Sequence, residues 1–349
     1  MVSTWAQRAA AAEDAVLHHH LRPLWGLPGT ALGLMVVPPA PEHRTFAKWC
    51  YWWQAHLLDC LVDAATREPD PQRTRRVREV ARGIQVRNLG SWTNSYYDDM
   101  AWLALALQRA DTELAVAHPR GSQALLVELQ QAYQHAGGQG IPWRRGDDFR
   151  NTPANGPAAI LFARSGRVSA AADTADWLHT RLLDPATGLV CDGLRPGEAG
   201  AVVEATKYTY CQGVVLGAET ELAVRTGAAV HARRVHRLVR AVQTHLAPSG
   251  VPVGAGGGDG GLFAGILARY LAVVARQLPG DDDADAQARA TARRLVLSSA
   301  DAAWRHRDEV AGRPVFGPSW EQPPLAGRRD LSVQLSAWML LEAAATLPG

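Results

Sequence analysis

Lysine is nearly missing from this chain. Lys48 and Lys207 are the only two among 36 basic residues, so arginine carries the positive charge, a pattern expected from codon bias in a GC-rich genome. The formal net charge is only +2, and no basic run is interleaved with aromatics. Electrostatic capture of nucleic acid is thereby excluded. Cysteine is scarce too. Cys50, Cys60, Cys191 and Cys211 are too few and scattered for a disulfide scaffold, and none forms a C-x-x-C pair. Cys50 and Cys60 fall in one predicted helix, too far apart along it to bridge.

Long apolar runs are absent as well. Neither the N-terminus (residues 1–8) nor any later segment reads as a leader or a membrane span, so a cytoplasmic protein with reduced thiols is expected. The glycine-rich stretch 254–261 has no strand before it and no Lys-Ser/Thr after it, so a nucleotide loop is rejected. His18, His19 and His20 are consecutive on a helix and cannot all face one ion. No cofactor and no metal are expected.

Alternating strand-like patterns are hard to find, and no fixed-period repeat or Pro/Ser-rich linker divides the 349 residues. Helical periodicity is what remains. It predicts helices at 4–21, 43–66, 72–82, 99–110, 121–135, 153–165, 168–183, 206–225, 229–246, 261–277, 284–306 and 331–347. Gly or Pro punctuates most joins. About a dozen hairpin-linked helices without a repeat favour closure into a ring over a solenoid. The expected fold is all-α, a single-domain toroid spanning residues 1–349, as a monomer.

The chemistry concentrates in Asn94-Ser95-Tyr96-Tyr97-Asp98-Asp99-Met100-Ala101-Trp102. Two adjacent carboxyl groups against aromatic surface push one pKa up, leaving one group ionised and its neighbour able to hold a proton. Glycosidic cleavage by double displacement needs that division of labour. An isolated Asp-Asp before a helix is more simply a cap at the positive dipole end. Trp92, Tyr96, Tyr97 and Trp102 crowd this pair, however, and a cap needs no aromatics. The chain also holds twelve tryptophans against five phenylalanines, and aromatic faces stack on the C–H faces of sugars. Trp49, Trp53 and His56 have the spacing of a buried stripe. Trp143 and Trp320, in predicted loops, are better placed to meet sugar.

Five ordered segments together resemble glycoside hydrolase family 76, the endo-α-1,6-mannanase family and its transglycosylating relatives. They are residues 51–59, with Tyr51-Trp52-Trp53; residues 88–106 around the aspartate pair; Trp143 with Asn151-Thr152-Pro153-Ala154-Asn155-Gly156-Pro157; Asp184, Asp192-Gly193 and Tyr208-Thr209-Tyr210-Cys211-Gln212-Gly213; and Gly256-Gly257-Gly258-Asp259 with Phe263, Gly265 and Arg269-Tyr270. The resemblance implies an (α/α)6 barrel and a retaining α-1,6-mannosidic hydrolase. Asp98 would be its nucleophile and Asp99 its acid/base. Transglycosylation or non-catalytic glycan binding on the same scaffold are the alternatives.

The implied sugar-binding set is Asp192, Asn94, Tyr97, Trp53, Trp143, Asn155, Tyr210, Gln212, Asp259 and Phe263, acting on α-mannan or mannooligosaccharide. For Asp192 an Asx turn before Gly193 is an equal alternative, and for Asn155 a role in starting a helix. Asp259 is either a polar contact or a cap. Two positions depart from the family pattern. Cys211 stands where many members have Asn, and Ala264 where they have Lys.

Overall fold

The computed structural model describes residues 4–197 and 200–347. Twelve long helices dominate the described residues. In chain order they are α1 (Thr4–His19), α2 (Tyr51–Arg67), α3 (Pro71–Arg87), α4 (Tyr97–Leu114), α5 (Pro119–Ala136), α6 (Thr152–Arg164), α7 (Val168–Leu182), α8 (Thr209–Thr226), α9 (Ala229–Ala241), α10 (Phe263–Gln277), α11 (Asp283–His306) and α12 (Leu331–Ala345). Each falls largely within one of the twelve predicted segments. The main discrepancy is at 43–66, where the helix starts only at Tyr51. A four-residue turn, Pro41–Arg44, precedes it, and Phe46 then adopts a left-handed φ of 55° that no continuous helix tolerates.

Even-numbered helices form an inner ring and odd-numbered ones an outer ring. The inner helices touch in the order α2, α4, α6, α8, α10, α12 and back to α2, and each outer helix packs on an inner neighbour. This is the (α/α)6 toroid. The two rings differ in sequence character. Residues Leu331 through Ala344 of α12 are all buried, whereas α3 buries only Val77, Val80, Ala81, Gly83 and Ile84. A helix apolar all round belongs inside, and one with a single apolar stripe belongs outside. The segment Gly258–Gln277 is long and apolar enough by composition to cross a membrane, contrary to the expectation that no segment would be. Most of it is barrel wall, which accounts for its hydropathy.

Glycine lets the inner helices approach closely. A Cβ on Gly265 would lie 2.6 Å from the Cα of Ser336, and one on Gly213 would lie 2.9 Å from the Cα of Leu267. The α8–α10–α12 contacts therefore cannot carry a side chain at these two positions.

All six inner helices begin at the same end of the barrel. Their fourth residues reveal a device hidden from periodicity analysis. Gln54, Asn155, Gln212 and Gln334 are each fourth in α2, α6, α8 and α12, and each is buried. Each amide grips one loop residue twice, accepting its N–H and donating to its C=O. The gripped residues are Gly33 (2.8 and 2.9 Å), Ile141 (2.7 and 2.8 Å), Val190 (2.8 and 2.8 Å) and Phe316 (3.0 and 2.9 Å). Peptide groups that the loops bury are thereby satisfied, and the loops are fixed over the helix N-termini.

The opposite rim is closed by ion pairs. Arg109 donates to Asp59 (2.5 Å), Asp63 (2.7 Å) and Glu113 (2.8 Å), while Arg269 reaches Asp63 (2.5 Å) and Asp59 (3.2 Å). The two guanidinium groups hold Asp59 down to about 2, against the penalty of burial. Cations suit this end, where the inner helices present their negative dipole ends. Between the two ends lies His56, buried beneath Trp102 (centroids 4.7 Å apart) and Trp52 (5.5 Å). Burial pushes its pKa down to about 3, so the ring is neutral.

Candidate active site

The first turns of the inner helices open into a cavity of about 560 Å³. Its wall includes Trp52, Asp98, Asp99, Tyr210 and Phe263 from those helices, together with Tyr96, Trp143, Phe149, Asp192 and Asp259 from the loops. Cavities of comparable size exist elsewhere, one between Tyr133 and Trp177 and one over the ion-paired rim, so volume does not single out the site. Composition does. Four aspartates and eight aromatics, counting Trp102 and Tyr208, converge here with no lysine, arginine or histidine among the lining residues.

Asn94 begins the local construction. Its Oδ1 accepts the Tyr96 N–H at 2.8 Å, bending the chain into α4, while its Nδ2 donates to Asp99 Oδ2 at 2.6 Å. Tyr96, not an aspartate, occupies the N-cap position, and it makes no side-chain cap. The simple capping reading of Asp98-Asp99 therefore does not hold. Asp98 accepts the Asp99 backbone N–H at Oδ1 (2.9 Å) and the Trp143 indole N–H at Oδ2 (2.9 Å). Trp143 is itself strapped down. Its C=O accepts the Tyr97 N–H (2.9 Å), and its N–H donates to Phe149 C=O (2.7 Å).

The two carboxyl groups are thus unequally supported. Asp98 receives two donors and Asp99 one. Burial raises Asp98 to about 7 against the pull of those donors. Burial and the neighbouring Asp98 charge push Asp99 well above the usual carboxylate range, with Asp259 adding to the rise. Hydrogen bonds to a carboxylate favour its charged form, so the first of the pair to ionise is Asp98.

The remaining acids sit around the rim of this pair. Asp259 Oδ1 accepts the indole N–H groups of both Trp52 (3.1 Å) and Trp53 (2.9 Å). Asp192 is positioned by two backbone bonds, its C=O accepting from Thr152 N–H (2.7 Å) and its N–H donating to Thr206 C=O (2.8 Å). Burial, followed by the charge of Glu204, raises Asp192 to about 6. Cys211 fills the position noted as a departure, and its thiol donates to Asp192 Oδ1 at 3.8 Å. Opposite, Tyr210 stacks on Phe263 with centroids 4.0 Å apart and planes 10° from parallel.

Of the residues singled out from sequence, Asp98, Asp99, Asp192, Trp143, Tyr210, Asp259 and Phe263 line the cavity. Asn94, Trp53 and Tyr97 stand one layer behind. Asn94 holds Asp99, Trp53 holds Asp259, and the Tyr97 backbone holds Trp143. Asn155 and Gln212 do not face it, because both amide groups are consumed by the backbone clamps described above. Trp320, expected in a sugar-facing loop, is buried instead, with its C=O against His306. Sequence reasoning left Trp52, Tyr96, Trp102, Phe149, Asn151 and Tyr208 out of the sugar-binding set, although they line the cavity. Trp52 and Trp102 share the helical spacing of core stripes. Asn151 reads as the N-cap of α6, which it also is, accepting the Ala154 N–H at 3.2 Å.

Comparison with known proteins agrees with this geometry. The family model of glycosyl hydrolase family 76 matches residues 8–347. No curated protein sequence matches the chain. Among solved structures, an α-1,6-mannanase from a Salegentibacter species is similar over 98% of this chain and 99% of its own, with a TM-score of 0.87 and 29% identity. An inactive variant of that enzyme, with two consecutive aspartates replaced by asparagine, was solved with α-1,6-mannotriose and aligns equally well at 28% identity. A protein from Listeria innocua aligns over 99% of this chain and 97% of its own, with a TM-score of 0.83 and 25% identity. With its toroidal fold, its paired aspartates and a family match across nearly its whole length, the chain belongs to glycosyl hydrolase family 76 and is a glycoside hydrolase.

Proposed function

We propose that this protein hydrolyses α-1,6-linked mannosides with retention, using Asp98 as nucleophile and Asp99 as acid/base. The observation carrying this reading is the unequal hydrogen bonding of the pair. Asp98, with the indole of Trp143 and a backbone N–H, is built to be the anion. Asp99, with one amide donor and a charged neighbour, is built to keep its proton.

In the first step an Asp98 oxygen bonds to the anomeric carbon as the glycosidic C–O bond breaks, and Asp99 gives its proton to the departing oxygen. In the second, Asp99 takes a proton from water, whose oxygen replaces Asp98 on the anomeric carbon. Positive charge develops on the sugar ring in both transition states. Four aspartates and no lining cation favour that charge. Substrate class follows from the relatives, since one is an α-1,6-mannanase and its inactive variant holds α-1,6-mannotriose. Asp192 offers two oxygens to vicinal hydroxyls, and the Tyr210–Phe263 stack offers an aromatic surface to the ring.

The test is turnover of α-1,6-mannooligosaccharides by the wild type, Asp98→Asn and Asp99→Asn. Both variants are expected to fold and to lose activity by about 10³-fold or more. Full activity in Asp98→Asn contradicts the assignment.

A further inference from the structure

Trp25 is out of place as a core tryptophan. It is 53% exposed, and among the described residues no other Trp, Tyr or Phe is more than half exposed. Its backbone is left-handed, with φ 51° and ψ 23°, a conformation bulky side chains rarely adopt. Strain of this kind persists only where the surroundings over-determine it, and it gathers at functional positions. The surroundings here do so. Leu24 is fully buried, Leu27 N–H closes the turn onto Leu24 C=O at 2.9 Å, and Thr30 Oγ1 donates to Leu27 C=O at 2.7 Å. The Trp25 indole N–H donates to Thr45 C=O at 2.7 Å. With that donor occupied, the exposed remainder of the side chain is hydrocarbon ring.

The chain that follows Thr45 leads to the active site. Thr45 opens an eight-residue strap ending at Trp52, which lines the cavity and spans at most about 25 Å. Arg87 pins the middle of this strap, donating to Phe46 C=O (2.7 Å) and Ala47 C=O (3.1 Å). Its guanidinium lies 5.0 Å from the ring centroid of Trp49, which is half-buried on the way. Trp25, Trp49 and Trp52 are thereby tied to one strap that Arg87 pins.

We propose that Trp25 is an outlying sugar-stacking platform, taking pyranose units of a long glycan beyond those held in the cavity. This inference rests on the glycan reading of the active site. Ring stacking on the C–H face of a sugar uses an exposed aromatic face, and a ring already held in place loses less freedom on binding. A strained turn that holds the ring by its N–H supplies that.

The experiment compares wild type, Trp25→Gly and Trp25→Phe on polymeric α-1,6-mannan and on α-1,6-mannotriose, with retardation in mannan-containing native gels as a readout independent of turnover. Glycine accepts the left-handed backbone, so Trp25→Gly is expected to unfold no earlier than wild type. It should nonetheless raise KM on the polymer about threefold to tenfold, with kcat and mannotriose kinetics unchanged. Gel retardation should weaken in parallel, and Trp25→Phe, which keeps an aromatic face but loses the bond to Thr45, should restore it only in part. Unchanged polymer KM and retardation in Trp25→Gly overturn the platform. So does an equal loss on mannotriose, or a wild-type dimer that Trp25→Gly dissolves, since the exposed ring is then a self-association contact. A wild type retarded by mannan but turning over neither substrate contradicts the hydrolase reading alone.

Discussion

The indole N–H of Trp143 donates to Oδ2 of Asp98 at 2.9 Å, tying a loop residue to a helix residue 45 positions away. This bond distinguishes Asp98 from Asp99, since no indole reaches the second aspartate. It stabilises the ionised form of Asp98 specifically. Trp143→Phe keeps an aromatic ring, though a smaller one, and removes the donor. The acid limb of kcat/KM on mannooligosaccharide should move upward by about one to two pH units, because a hydrogen bond to a charged group is worth about 1.5–3 kcal/mol. An unmoved limb means the bond does not tune the nucleophile.

The pair also predicts how stability responds to pH. Asp98 has its pKa raised from 3.8 in the unfolded chain to about 7 in the fold. Between these values the folded state binds the extra proton, so stability falls as pH climbs from about 4 to about 7, and the loss is complete above that. Asp98→Asn removes the penalty. It should be more stable than wild type at pH 8 by about 2 kcal/mol, a figure reduced because Asp98 is half-buried and not sealed from solvent, and equal to it at pH 3.5. Denaturant titrations at the two pH values check this. An asparagine variant less stable at pH 8 contradicts the burial penalty.

Much of this was legible in the sequence, for physical reasons. The outer helices showed because one face is buried, the inner ones because Gly or Pro bounds an apolar run of helical length, and the aspartate pair stood out by its aromatic company. Buried amides were not distinguishable from sugar-binding ones. Gln212 looks the same in sequence whether it faces a glycan or a loop peptide, and only the fold shows it gripping Val190. The recurrence of Gln54, Asn155, Gln212 and Gln334 at the fourth position of four inner helices is a structural repeat that constrains four residues in 349, at uneven spacing. No sequence period emerges from so sparse a signal.

Gln212 carries its own prediction. Gln212→Leu leaves the Val190 N–H and C=O buried and unpartnered, costing about 2–4 kcal/mol in denaturant unfolding. Val190 lies two residues before Asp192, so KM for mannooligosaccharide should rise as the loop loosens. If Gln212 instead touches sugar directly, activity falls without loss of stability.

The central claim is that two adjacent aspartates break an α-mannosidic bond in two displacements. Proton NMR of the purified protein with α-1,6-mannooligosaccharides, following the anomeric signals from the first minutes, tests it most directly. Two inversions at the anomeric carbon restore its configuration, so the account predicts that the α-anomer of the product appears first and mutarotates afterwards. A product that first appears as the β-anomer contradicts the account.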